Sequence, residues 1–256
     1  MVSDKLIVTT GNYASSTPMA NETESFDLDA SKTCGSTLPA YPKLKKVTGA
    51  TGAFVSGKLV ICGGWLGGTA VSNQCHSIGP NGAAWQPAGN MTKPRANAAS
   101  VEINEKLLIF GGYEYPNAGE YPLYGYLDSI EELDLEAETS TLVPASMPSP
   151  VEMHCAVKIN STTVLIIGGA MGSPVATTNY YNIEDRIFMA GPNLTEIRYA
   201  HGCSMMTNSN GSYVVVAGGR QLGDVYDSTV YLDLKEPASW RTGLKIATSI
   251  GVQRVG

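Results

Sequence analysis

The sequence predicts an all-β chain made of small four-stranded sheets repeated along its length, and three observations carry that expectation. Composition is the first: only 16% of the 256 residues are charged, 43% are apolar and 28 are glycine, a chain with few solvated charges and many turns. The second is an apolar run closing on paired glycines, which recurs as Leu59-Val-Ile-Cys-Gly63-Gly64, Leu107-Leu-Ile-Phe-Gly111-Gly112, Val164-Leu-Ile-Ile-Gly168-Gly169 and Val214-Val-Val-Ala-Gly218-Gly219. The third is that no helical periodicity separates these runs.

Each element of the repeat has a physical reading. A short, continuously apolar, β-branched run is a strand buried on both faces, and it stops where glycine permits positive φ and close backbone approach. A weaker copy, Leu6-Ile-Val-Thr-Thr10-Gly11, precedes the four, and second glycines are spaced by 53, 48, 57 and 50 residues. Downstream, a third strand carries an apolar or aromatic residue beside an acid, in Phe26-Asp27-Leu28, Leu133-Asp134-Leu135 and Leu232-Asp233-Leu234. A fourth strand carries a bulky residue: Trp85, Leu142, Phe188 or Trp240. A Pro/Gly/Asn-rich turn such as Pro87 to Pro94 follows. An Arg-led segment, Arg95-Ala-Asn-Ala98 or Arg198-Tyr-Ala-His201, then leads into the next unit. Sheets this small cannot bury themselves alone, so they must stack radially on their neighbours. The repeats fall at about 5–46, 47–94, 95–150, 151–197 and 198–256.

This pattern resembles the kelch repeat, which implies an all-β, kelch-type β-propeller with four-stranded blades. The likeness rests on the Gly-Gly strand, the spaced aromatic, the Trp and the Arg-x-x-His lead-in. Gly11 lacks its glycine partner, Leu142 stands where Trp is expected, Ala98 replaces His, and Val151 replaces Arg ahead of His154. Rings of this kind close by completing one blade with strands from both termini, because an open sheet edge invites aggregation. Lys5 begins at a second strand, while Arg254-Val255-Gly256 aligns with Arg198-Tyr199-Ala200. The sequence is therefore expected to be an excerpt of a longer chain, part of a ring of six or seven blades. The competing expectation is a five-bladed ring closed by Leu244 to Val255.

Charge and chemistry exclude several functions. The net charge of −6, with no basic cluster beyond Lys43, Lys45 and Lys46, leaves no footprint for nucleic acid. No apolar run approaches the roughly 20 residues of a membrane-spanning helix. Cysteines at 34, 62, 75, 155 and 203 show no C-x-x-C spacing, so neither a zinc site nor any other metal or cofactor is expected. Cys62 and Cys75 are a candidate disulfide across the hairpin between strands two and three if the chain is extracellular, with buried thiols as the alternative. His154 and His201 occupy equivalent positions of adjacent repeats and read as packing residues. Asn21, Asn90, Asn160, Asn193 and Asn210 begin N-x-S/T sequons, candidate glycosylation sites that favour an extracellular setting over a cytoplasmic one. Met1 to Asp4 do not resemble the start of a signal peptide.

Strand alternation puts the connections from strand two to three and from strand four to the next strand one on a single face. The kelch resemblance implies that this face holds the partner site. Carried over, it nominates Tyr13, Trp65, Tyr113 and Arg220 after the glycines, and Asn97, Glu152, Arg198 and Tyr199 at the lead-in turns. Aromatics and Arg are what interface hot spots favour. Trp65 and Tyr113 also read as caps over a blade interface. The long connection Tyr113 to Tyr126, with Tyr121 and Tyr124, is tyrosine-rich and belongs to the same face. No nucleophile elbow, phosphate loop or His-Glu-x-x-His motif occurs, and Glu131 and Glu132 alternate across a strand, so they make a poor acid–base pair. The expected function is a non-enzymatic scaffold that binds a protein or peptide partner. The alternatives are an extracellular glycan-binding propeller and a kelch-type enzyme such as a copper oxidase.

Overall fold

The computed structural model describes residues 5–11, 20–27, 37–42, 47–67, 70–80, 82–115, 125–222 and 224–246. Blade 1 joins β1 (Lys5–Gly11), β2 (Ala20–Asp27) and β3 (Thr37–Leu38) in a three-stranded sheet. Blade 2 contains β4 (Thr51–Val55) and β5 (Lys58–Cys62), a small ribbon β6 (Trp65–Gly67) with β7 (Ala70–Val71), then β8 (Gln74–Ile78) and β9 (Gln86–Asn90). Blade 3 contains β10 (Ala99–Ile103), β11 (Lys106–Phe110), β12 (Ser129–Asp134) and β13 (Thr139–Ser146). Blade 4 contains β14 (Cys155–Lys158), β15 (Thr163–Ile167), the ribbon β16 (Ala170–Met171) with β17 (Ser173–Pro174), β18 (Thr178–Asn182) and β19 (Ile187–Ala190). Blade 5 contains β20 (Gly202–Asn208), β21 (Gly211–Ala217), the ribbon β22 (Arg220–Gln221) with β23 (Asp224–Val225), β24 (Thr229–Asp233) and β25 (Arg241–Thr242).

Blades 2 to 5 are four-stranded antiparallel meanders, as the repeat requires. The first turns of blades 2 and 3 are tight: Ser56-Gly57 and Asn104-Glu105 all take positive φ, which matches the twist of the flanking strands. Leading into their glycine pairs the second strands are continuously apolar because both faces are covered. Leu107, Leu108, Ile109 and Phe110 are all at most 2% exposed, each burial being worth about 1.5–3 kcal/mol.

Those two faces meet different neighbours. Leu107, Ile109 and Leu133 pack on Val60, Cys62 and Met91 of blade 2, whereas Leu108, Phe110 and Ile130 pack on Val164, Ile166 and Tyr181 of blade 4. Blades 4 and 5 share Leu165, Ile167, Val214, Val216 and Leu232. First strands β4, β10, β14 and β20 touch in sequence, so they line the inner edge.

The fourth-strand aromatics fasten one blade to the one before it. Trp85 Nε1–H donates to the Pro39 carbonyl at 2.9 Å and Trp240 Nε1–H to the Pro192 carbonyl at 2.8 Å. Leu142 does not serve in this way: it is 47% exposed on β13, because it has neither the reach nor the donor of an indole. Of the segment expected to close a five-bladed ring, Leu244 to Val255, residues 244–246 form no strand, and the remainder lies outside the described residues.

Candidate functional site

The paired glycines place the ribbon face. Both members take positive φ in all four copies, for example 55° and 95° at Gly111 and Gly112. The second amide donates to the lead-in carbonyl of the next blade: Gly64 to Arg95 at 2.7 Å, Gly112 to Val151 at 2.9 Å and Gly169 to Arg198 at 3.0 Å. A Cβ at Gly112 would stand 2.7 Å from the Ala96 carbonyl oxygen, so a larger residue would force the strand end away from its own blade's lead-in. The chain then bridges back to its own blade's lead-in, pairing Trp65 with Thr48, Tyr113 with Ala96, Ala170 with Glu152, and Arg220 with Tyr199.

A second hydrogen-bonded series runs along the inner edge beneath these pairs. Asn97 N–H donates to the Gly49 carbonyl at 2.7 Å, Met153 N–H to that of Asn97 at 2.8 Å, and Ala200 N–H to that of Met153 at 2.8 Å. All four residues take positive φ, between 52° and 65°. Successive blades are thus linked at one repeated position, and the side chains beside it face a common mouth.

Six of the nominated residues, Trp65, Asn97, Tyr113, Glu152, Tyr199 and Arg220, lie together on this face. Trp65 and Tyr113 lie with centroids 5.5 Å apart across the junction of blades 2 and 3, and Tyr126 meets Tyr113 edge-on at 5.4 Å. Both nominated aromatics are half-buried, so they cap the junction and still present a surface. Asn97 Nδ2–H donates to Glu152 Oε2 at 2.8 Å. Burial raises the Glu152 carboxyl above its ordinary value, partly offset by that hydrogen bond.

Arg198 does not belong with them. It is fully buried, donating to the Gly218 carbonyl at 2.8 Å, to Ser228 Oγ at 3.1 Å and to Glu196 at 3.0 Å, with its guanidinium 4.6 Å from the centre of the Tyr226 ring. The repeat uses this arginine to hold the carbonyls of its own blade. Arg95 does the same, and its partner is Glu131, a residue whose burial the sequence did not reveal. Burial pushes Glu131 upward, but the Arg95 charge, the Thr92 amide and the Ser140 hydroxyl outweigh it, so its carboxyl lies below the ordinary range. Glu132, on the opposite face of β12, pairs with Lys106 at 2.7 Å.

Sequence reasoning overlooked an apolar crown. Leu66, Tyr115, Met171, Leu222 and Val225 are 40%, 49%, 47%, 77% and 60% exposed, and all follow a glycine pair within a few residues. That position after Gly-Gly was the available signal. Tyr13, Tyr121 and Tyr124 lie outside the described residues.

Two disulfides are present. Cys62 and Cys75 face each other on β5 and β8 with Cα atoms 4.1 Å apart, and Cys155 joins Cys203 between the inner strands of blades 4 and 5 across 6.1 Å. Neighbouring His154 is buried, and its ring nitrogens have no hydrogen-bond partner among the described residues. Burial lowers its pKa to about 4, so it is neutral near pH 7. No group of three potential metal ligands occurs among the described residues. Asn90, Asn160, Asn193 and Asn210 are exposed; Asn21 lies on β2, and its side chain is outside the description.

Residues 94–147, spanning blade 3, match the Kelch motif. No curated protein matches the sequence. Among solved structures the chain is similar to that of YjhT, with a TM-score of 0.77 at 13% identity over 96% of this chain and 82% of that one. At that identity the likeness concerns the fold alone.

Proposed function

Since the chain is a kelch-type β-propeller, we propose that its ribbon face is a protein- or peptide-binding surface and that the chain acts as a non-enzymatic scaffold. The observation that carries this reading is the crown. Four successive blades each raise an exposed apolar side chain on the same face, namely Leu66, Tyr115, Met171 and Leu222. Apolar groups scattered singly need no explanation, whereas a series repeated around one mouth, with half-buried aromatics beneath it, has the composition of an interface core.

The compartment is read as extracellular. Two disulfides and four exposed sequon asparagines support that reading. Asn160 and Asn210 lie in first turns, between β14 and β15 and between β20 and β21, on the face opposite the ribbons, where glycans leave the crown free. A mobility shift on endoglycosidase treatment of secreted protein checks this reading; an unchanged mobility contradicts it.

The binding test compares captured cell-surface protein for wild type, Met171→Asp, Leu222→Asp and an opposite-face control, Asp185→Lys. Partners are expected to be lost with both crown variants and kept by the control. Equal capture by all four overturns the assignment of the face.

A further inference from the structure

We propose that Glu152 is a cation seat, the point on the ribbon face that receives a lysine or arginine side chain of a bound peptide. The proposal rests on the ribbon face being the binding surface and adds the charge its partner must carry. Every other carboxylate whose side chain is described as buried or half-buried pairs with a Lys or Arg; examples are Glu131 with Arg95, Glu102 with Lys158, Asp227 with Lys245 and Asp233 with Arg241. Glu152 is half-buried and makes no ion pair among the described residues. A partly desolvated carboxylate without a cation costs stability, and a neutral glutamine could accept the same hydrogen bond from Asn97.

The surroundings of Glu152 are built rather than incidental. Asn97, its donor, is fixed at both backbone groups by the inner-edge series, accepting from Met153 N–H and donating to the Gly49 carbonyl. Glu152 bridges to the small Ala170, whereas at the two preceding blades the large residue comes from the ribbon, as Trp65 and Tyr113 opposite Thr48 and Ala96. The mouth therefore runs from an aromatic platform on blades 2 and 3 to one carboxylate on blade 4. A peptide with apolar residues beside a basic one complements that order. The ammonium or guanidinium would satisfy the carboxylate while the apolar side chains cover the rings.

The test uses three peptides, acetyl-Leu-Lys-Tyr-Leu-amide and its analogues with norleucine or glutamate in place of lysine, titrated into the 256-residue protein and followed by amide NMR shifts. The lysine peptide is expected to bind wild type about tenfold or more tightly than the norleucine peptide, the usual scale for one charged hydrogen-bonded contact, and the glutamate peptide more weakly still. In Glu152→Gln that preference is expected to fall to about onefold while the melting temperature stays level or rises, an outcome a structural role would not produce. A lysine preference absent from wild type, including no binding of any peptide at millimolar concentration, overturns the proposal, as does a preference that survives in Glu152→Gln. The two failures separate by location. Shifts on the ribbons without charge preference remove the cation seat alone, whereas shifts confined to the opposite face remove the binding-face reading as well.

Discussion

Arg95 of blade 3 and Arg198 of blade 5 hold the same place in the repeat, are both fully buried, and are stabilised in different ways. Arg95 Nε–H and Nη2–H both donate to Glu131, at 3.0 and 2.9 Å, and that carboxylate also accepts from the Thr92 and Lys93 amides and the Ser140 hydroxyl. At the position of Glu131, two residues past the serine whose carbonyl accepts from the first paired glycine, blade 5 has Val230. Arg198 instead relies on the Tyr226 ring and on Glu196, whose side chain is 47% exposed, and its Nε–H has no partner among the described residues. The repeat therefore fixes where a guanidinium goes and leaves open how its charge is met. Blade 3 depends on a dry, fully hydrogen-bonded pair, while blade 5 depends on a partly wet one and on a disulfide to blade 4.

The sharpest way to break this comparison is to remove one partner at a time. Glu131→Ala or Arg95→Met strands a buried charge and is expected to cost about 3–5 kcal/mol, whereas Arg198→Met, which strands none that is fully buried, costs about 1–3 kcal/mol. Denaturant unfolding measures both, and the double variant Arg95→Met/Glu131→Leu should recover much of the loss. Equal costs for Arg95→Met and Arg198→Met would show that the acid adds nothing.

Disulfides give the next effect. Cys155→Ala/Cys203→Ala opens a cross-link spanning 48 residues and is expected to cost about 4 kcal/mol, against about 3 kcal/mol for the 13-residue Cys62–Cys75 link. Thermal scans of the two double variants should rank them in that order.

Acid should loosen the same region. The native pKa of His154 is about 4 and the unfolded value 6.5, so the unfolded chain takes up the proton first as pH falls. Stability is intact above about pH 6.5 and declines toward pH 4 by on the order of 3 kcal/mol, and His154→Gln should flatten that stretch of the profile. Glu131, held below its ordinary value, acts lower: its contribution is present above its unfolded pKa and disappears as pH drops through the native one.

The smallest contrast lies in the outer strands. Trp240→Phe loses a hydrogen bond to the Pro192 carbonyl and is expected to cost about 1 kcal/mol, while Leu142→Ser, on an exposed side chain, stays within about 0.5 kcal/mol.

Local pattern carried much of the architecture into view. Continuous apolar runs such as Leu107 to Phe110 can only be strands covered on both faces, and paired glycines mark positive φ whichever blade they occupy. What stayed hidden depends on register between strands distant in sequence. Glu131 reads as one of two adjacent surface acids until β12 is aligned with the lead-in at Arg95, and Arg198 reads as a binding residue until the Gly218 carbonyl is found 2.8 Å away. The Cys155–Cys203 link needs two neighbouring inner strands side by side, and the crown needs four ribbons on one face before Met171 and Leu222 stand out from ordinary loop residues.

The central claim is that partners dock on the ribbon face, and hydrogen exchange of the propeller with and without a captured partner tests it most directly. Slowed exchange is expected at 64–67, 112–115, 169–173 and 219–225, with the first turns at Asn160 and Asn210 unchanged. Protection at those first turns, with the ribbons unaffected, would contradict it.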